Sequence, residues 1–405
     1  MESLHPAQPA TSVIPQVDPW TDSVEPAHRG RGRPKTINTH GFACPNVECK
    51  FYNEPDSHKH KLIGHGGHGI QERIQDLQCT ACNHKFSVRR NTALFRLHTP
   101  TQNIEQSLYC VLEGMRFEAV SGLPYVKPSI PTLQRWIHAA ALHAEALHHE
   151  LLCQQRLIPP QVQLDELKTR VRQAPDDQTW IWTGLCATHK LWLVLGVGPR
   201  TQLLAHAGMH QLRDCLLPGY VPLFFSDGLK SYYYALTAHW GSWQLDDSNK
   251  RYWLLSPDLR YAQLIKSYKR RKLDRIDIVA QIGTLPDITQ RLIDAGFSGT
   301  VNTSYVERFN CTLRSSLATL ARRSAALLQS TDHLLELLQL YRGYYHFCRP
   351  HESLALTSDQ QPIAALRKST PALSAGLTDH VWSLKEMLLR PVHPPRSHNS
   401  VLCMH

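Results

Sequence analysis

The sequence predicts a multidomain protein. A small cysteine-held module and a helical segment precede an α/β domain built on a mixed sheet. Three observations carry this. Four cysteines fall in two close pairs, in CPNVEC and CTACNHKF. From Thr101 to about Glu150 the apolar residues recur only at helical spacing. Beyond Pro159 and Pro160, short β-rich runs alternate with helical ones.

The bulk composition narrows the partner. The chain has 405 residues, with Lys+Arg 44 against Asp+Glu 34 and a formal net charge of +10. A basic surface favours a polyanion, nucleic acid first and anionic membrane second. No apolar run approaches the ~18 to 20 residues a membrane span needs. The opening MESLHPAQPATSVIPQVDPW lacks the apolar core of a secretory signal. The expected location is therefore cytoplasmic, at the nucleoid. In that reducing setting eleven cysteines read as thiols or metal ligands rather than disulfides.

Residues 1–40 are rich in Pro, Ser, Thr and charge without periodicity, and read as a disordered basic arm. It contains RGRGRPK, which resembles an AT-hook core. Arg31 and Arg33 would enter a narrow A·T-rich minor groove, where the negative potential is deepest. Residues 41–98 carry Cys44-x4-Cys49 and Cys79-x2-Cys82. Two such pairs can offer four thiolates tetrahedrally to Zn2+, as in a zinc ribbon. The reading without metal is four reduced thiols. Asn83 suits the left-handed turn of a knuckle, and KFSVRR a following strand. The long loop between the pairs makes His58, His60, His65, His68 and His84 rival ligands.

Residues 99–155 read as three helices: QNIEQSLYCVLEGM, a short RFEAVSG, and SIPTLQRWIHAAALHAEALHHE capped by Ser129. A short helix, a turn and a longer helix match a helix-turn-helix, or else a plain helical linker. In the first reading Thr132, Gln134 and Arg135 face DNA while Leu133, Trp136 and Ile137 face a core.

Residues 156–370 give strand QVQLDEL, two strands in TWIWTGLCATHKLWLVLGVG, helix TQLLAHAGMHQLRDC, strand VPLFFSDG and helix LKSYYYALTAHW. That order is the one a ribonuclease-H-like domain needs: a mixed five-stranded sheet with flanking helices. Its first and fourth strands are adjacent, so Asp165 and Asp227 reach the same sheet edge. NTSYVERFNCTLR then reads as a helix with Ser304 as N-cap and Glu307 at its third position. Val306, Phe309, Leu313, Leu317 and Leu320 form its apolar face. Glu307, Asn310 and Arg314 form another. Taken alone, Glu307 could simply favour a helix start. On this fold it can instead join the two aspartates. Three convergent carboxylates repel one another unless a divalent cation lies between them. Mg2+, or Mn2+, prefers such oxygen ligands. Two such ions can drive phosphodiester chemistry. Arg308, Arg314, Arg322 and Arg323 would hold the DNA backbone.

NTSYVERFNCTLRSSLATLARRSAAL and YYHFCRPHESLAL resemble the C-terminal part of the DDE transposases of the insertion-sequence-one type, with LDEL and SDGLKSYYYAL similar to their two aspartate motifs. The resemblance spans roughly residues 40–365 and is most specific from Asn302 to Leu354. It implies metal-dependent cleavage and transfer of double-stranded DNA at terminal inverted repeats and target DNA. It makes Asp165, Asp227 and Glu307 the magnesium ligands and Asn310 and Arg314 supporting residues. It also implies a homo-oligomer on DNA. The chain departs from that pattern in an 80-residue interval from Asp227 to Glu307 with a basic insert, Lys266 to Arg275. No histidine lies between His239 and Glu307. Residues 371–405 read as a flexible tail. The rival readings are a transposase-derived DNA-binding regulator without catalysis, and a ribonuclease-H-like nuclease or resolvase.

Overall fold

A computed structural model describes residues 39, 41–56, 61–175, 178–270, 272–354 and 368–393. Arg31 and Arg33, with the rest of the arm, lie outside the described residues, as do His58 and His60. The chain divides into two compact units, Met1–His98 with His393–His405, and Thr99–Val392.

The first unit is a three-stranded antiparallel sheet, β1 (Leu62–His68), β2 (Ile74–Cys79) and β3 (Lys85–Ser87), in that order. The last strand is shorter than KFSVRR suggests, because the chain turns at Arg89 to Thr92. Leu62, Leu77 and Val88 pack with the four cysteines into one small core. So few apolar side chains bury little surface, and a unit of this size needs a further constraint.

The second unit begins with α1 (Thr101–Leu112), α2 (Phe117–Ser121) and α3 (Ile130–Leu151). Gly114, at φ +93°, closes α1 in the left-handed region that glycine allows. Ser129 caps α3 by accepting from Thr132 N. Leu133, Trp136 and Ile137 are buried, as their spacing suggests, and Arg135 is exposed. Sequence texture suggested a boundary near residue 155. The structure instead keeps residues 99–155 in one unit with the sheet, because α3 packs along α8 (Thr331–Phe347). The contact is close: a side chain at Gly343 would meet Ala144 Cβ at 2.9 Å.

The sheet is mixed. Its strands are β4 (Gln161–Lys168), β5 (Trp180–Cys186), β6 (Trp192–Gly198), β7 (Leu223–Asp227), β10 (Arg260–Lys269) and β11 (Lys272–Ile282), in the order β11-β10-β7-β4-β5-β6. β4 runs parallel to β7 and antiparallel to β5, and β10 runs parallel to β7. There are six strands rather than five. The insert read as a basic run, Lys266 to Arg275, is the end of β10, the turn and the start of the return strand β11, where charged residues are interspersed with Leu273, Ile276 and Ile278. A separate exposed hairpin, β8 (Gly241–Leu245) with β9 (Arg251–Leu255), precedes it.

Helices cover both faces of the sheet. α4 (Gln202–Cys215) packs on β5 and β6, and α5 (Lys230–His239) places Tyr232 against Trp182. On the opposite face lies α7 (Ser304–Ser316), with Phe309 against Trp192. α6 (Leu285–Asp294) buries Ile288 and Leu292 against β7 and β10.

Two expectations about α7 need correcting. Thr303, not Ser304, is its N-cap residue, so Glu307 sits one position further in than a capping box requires. The helix also ends at Ser316, and Leu317 and Leu320 are buried in and beside a following 3-10 turn. The C-terminal segment is not a loose tail throughout. α9 (Pro371–Ser374) and α10 (Leu384–Leu389) bury Trp382, Met387 and Leu388, and His143 on α3 hydrogen-bonds Met387 O at 3.0 Å.

Candidate active site and metal centre

The first unit brings its four cysteines together. Cys44 and Cys82 place their sulfurs 3.6 Å apart, and Cys49 and Cys79 theirs 3.8 Å apart. All four sulfurs lie within 4.8 Å of one another. Tetrahedral zinc with its usual bond lengths would hold sulfurs ~3.8 Å apart. The group could therefore hold a structural metal such as zinc. Each pair closes on a turn made for it. Cys49 N donates to Asn46 O, and Asn83, at φ +57°, lets its own N–H reach Cys79 O. Phe51 N points at Cys49 Sγ at 3.4 Å, a contact that favours thiolate. Burial raises the Cys44 thiol well above its ordinary value. At Cys82 burial acts the same way but is outweighed by hydrogen bonds, first from the His84 backbone, which bring it to about 7. The rival histidines are elsewhere: His68 pairs with Asp76 at 3.0 Å, and His65 and His84 are exposed.

In the second unit a cleft of about 360 Å³ is lined by Asp165, Asp227, Gly228, Leu264, Ile265, Lys266, Thr303 and Glu307. Three elements supply the acids. Asp165 lies on β4, Asp227 ends β7 beside it, and Glu307 stands on the first turns of α7. Their side chains are held differently. Asp165 accepts from Asn310 Nδ2 at 2.8 Å and from Glu166 N at 2.9 Å. Asp227 accepts from Leu229 N at 3.1 Å. Glu307 accepts from the Thr303 hydroxyl at 2.8 Å and is ion-paired with Lys266. Among the described residues the three carboxylates are not drawn within 4.8 Å of one another, as the cysteines are.

Sequence reading overlooked Gln163. Alternation along β4 puts Gln163 and Asp165 on the face that meets α7, and Glu166 on the other. Gln163 Oε1 accepts from Tyr305 N and Val306 N at 3.0 and 3.1 Å, while its Nε2 donates to Asn302 O at 2.8 Å. The start of α7 is thus capped from a strand, so Glu307 is positioned by the same strand that carries Asp165. The period-2 pattern from Asp165 could have pointed to it.

The electrostatics of the cleft are strained. Asp165 is raised to about 6, first by burial and next by the charge of Asp227. Glu166 is raised to about 7 by burial and again by Asp227, although Arg200 lies 2.7 Å from it. The buried Tyr232 hydroxyl lies beside Glu166 but outside hydrogen-bond geometry. Arg200 also reaches Asp227 at 3.8 Å, linking the two faces of the sheet. Such an all-oxygen, mutually repelling set is suited to a hard divalent cation.

The other residues named from the sequence are placed as follows. Asn310 is buried, and its Oδ1 has no partner among the described residues. Arg314 donates to Leu320 O at 3.2 Å and Lys168 O at 3.0 Å, which ties α7 to the chain around it. Arg308, Arg322 and Arg323 are exposed. Thr132 and Gln134 are half-buried on α3, and Arg135 hydrogen-bonds the Thr132 hydroxyl at 3.2 Å. His346 is structural: it is buried and accepts from Trp192 N at 2.9 Å. Arg349 donates to the Tyr341 hydroxyl at 2.7 Å. No helix among the described residues is long and apolar enough to cross a membrane.

Compared with protein-family models and with curated proteins, the chain matches none of either.

Proposed function

We propose that this chain is a DNA transposase with a ribonuclease-H-like catalytic domain. One observation carries the reading: Asp165, Asp227 and Glu307, from two adjacent parallel strands and a helix, line one cleft. The strand order β6-β5-β4-β7-β10 supports it, being the order expected of such a domain. Asp165, Asp227 and Glu307 would hold Mg2+ or Mn2+, whose chemistry there is activation of an attacking oxygen and stabilisation of a leaving one. The protein's own groups orient this set. Asn310 fixes the Asp165 carboxylate, Gln163 fixes the helix that carries Glu307, and Lys266 balances the charge of Glu307.

DNA would be held through its phosphates by the exposed cations Arg308, Arg322 and Arg323. The helices α1 to α3 serve as a helix-turn-helix for the terminal repeats, with Arg135 on its exposed face, and the four-cysteine unit as a zinc ribbon. Joining two element ends calls for a homo-oligomer assembled on DNA.

The test is Mg2+-dependent nicking and strand joining on a labelled duplex carrying the gene's own flanking ends, wild type beside Glu307→Gln. Wild type should nick and join, and the variant should bind equally but lose at least ~100-fold in rate. Binding without cutting by wild type would make the protein a regulator. Equal activity in both would remove Glu307 from the site.

A further inference from the structure

A second group of metal-ligating atoms lies at the C-terminal end of α3, with Cys153 twelve residues ahead of Asp165 and Cys215 twelve ahead of Asp227 along the chain. His148 and Cys153, at and just after the end of α3, meet Cys215, the last residue of α4. The ligand atoms of these three lie within 4.8 Å of one another. The Cys153 and Cys215 sulfurs are 3.5 Å apart, far outside disulfide bonding at ~2.05 Å but close to the ~3.8 Å spacing around tetrahedral zinc.

The burial is that of a site rather than a surface. Cys215 is wholly buried and His148 is 4 % exposed. His148 Nδ1 is buried with no hydrogen-bond partner among the described residues, and the ring also interacts with Cys153. The imidazole is held face to face with His346, ring centres 6.0 Å apart, so its direction is fixed. The sulfurs are brought together by backbone. Gln155 N donates to Asp214 O at 3.2 Å, Leu157 N to Cys215 O at 3.0 Å, and Leu217 N to Leu157 O at 2.9 Å. The pair is therefore preorganised without any ion.

We infer that His148, Cys153 and Cys215 form a zinc site that pins the end of α3 to the end of α4, with His149 as its fourth ligand. His149 is exposed and interacts with Cys153. The charges balance. On binding, the two thiols release two protons and bind as thiolates. Together with half-buried Glu145 they offset Zn2+ and the fully buried Arg342, which reaches Glu145 through Gln339. Residues 152–160 connect the helical segment to β4, so this ion would fasten the joint between the DNA-reading helices and the strand that carries Asp165. His148 and Cys215 are buried and Cys153 half-buried, and with His149 they supply the four ligands that a structural ion takes.

The experiment is zinc per chain, measured by inductively coupled plasma mass spectrometry on the full chain purified in reductant and freed of loose metal. Wild type should hold two. Cys153→Ser/Cys215→Ser should hold one, and so should Cys44→Ser/Cys79→Ser, whose second unit is untouched. That second variant decides the matter even if the first fails to fold by circular dichroism. Loading with Co2+ gives a second readout. Thiolate charge-transfer absorption persists in Cys44→Ser/Cys79→Ser, and carboxylate ligands cannot produce it. A wild type whose one zinc is lost in Cys44→Ser/Cys79→Ser, no ion in that variant, or a Cys153–Cys215 disulfide in place of the second zinc would overturn the inference.

Discussion

The four-cysteine unit and the carboxylate cleft both gather ionisable side chains from distant parts of the chain, but they gather them to different tightness. The sulfurs are within 4.8 Å of one another and nearly all buried. The carboxylates share a cleft open to solvent, with Glu307 45 % and Asp227 41 % exposed, and a lysine ammonium lies on one of them. A closed, matched set suits an ion that stays. An open, repelling set with room beside it suits ions that must leave positions for a substrate. On the proposed reading, the difference would separate a structural set of ligands from a reactive one.

The largest effect should come from breaking the closed set. Cys79→Ser removes a thiolate from a unit whose small core is Phe42, Leu62, Ile74, Leu77 and Val88 around the cysteines. Zinc binding in such small units supplies on the order of 10 kcal/mol of folding free energy. The first unit should therefore unfold, seen as loss of dispersed amide resonances, while the second keeps its melting transition.

Next in size is the cap on α7. Gln163→Ala leaves the Tyr305 and Val306 amides without their acceptor and should cost about 1–3 kcal/mol in urea unfolding. Strand cleavage should fall further than that loss of stability explains, because Glu307 loses its fixed position. Equal binding of DNA by the variant would separate positioning from recognition.

Asp165→Asn should sharpen the contrast by moving stability and activity in opposite directions. The Asp165 carboxyl is raised to about 6, so the folded protein without metal holds a proton that the unfolded chain has already released. Stability without metal should therefore fall as pH rises from about 4 to about 6, with Glu166 extending the decline to about 7. The asparagine variant should lose the Asp165 part of that slope and gain about 2 kcal/mol at neutral pH, while losing cleavage. A variant no more stable than wild type at neutral pH would mean that the acids do not strain one another.

The smallest effect belongs to Lys266→Met. Its pairing with Glu307 is partly exposed, the two side chains being 29 % and 45 % accessible, so unfolding should change by less than ~1 kcal/mol. Mg2+ should then raise the melting temperature at lower concentration than in wild type, since the cation no longer competes with an ammonium group.

How much of this could be read from the sequence follows from the range of the interactions. Cys44, Cys49, Cys79 and Cys82 announce themselves through local spacing. Asp165, Asp227 and Glu307 are legible because each sits at a recognisable point on a strand or helix whose pattern is local. Gln163 was missed because period 2 only puts it on the same face of β4 as Asp165; what it caps is visible only once α7 is in place. Cys153 and Cys215, 62 residues apart, meet through backbone pairing that no short pattern encodes. The return strand β11 was hidden because its lysines, arginines and aspartates look like a solvated run. Only the alternation with Leu273, Ile276 and Ile278 betrays the pleat. The packed C-terminal helices were obscured by the Pro, Ser and His around them.

The cap from Gln163 also bears on how the gene can change. Because α7 is anchored to β4 through Gln163, the exposed β8–β9 hairpin between Asp227 and Glu307 is not needed to hold Glu307 in place. On the proposed reading, its length could vary without moving the acids of the cleft.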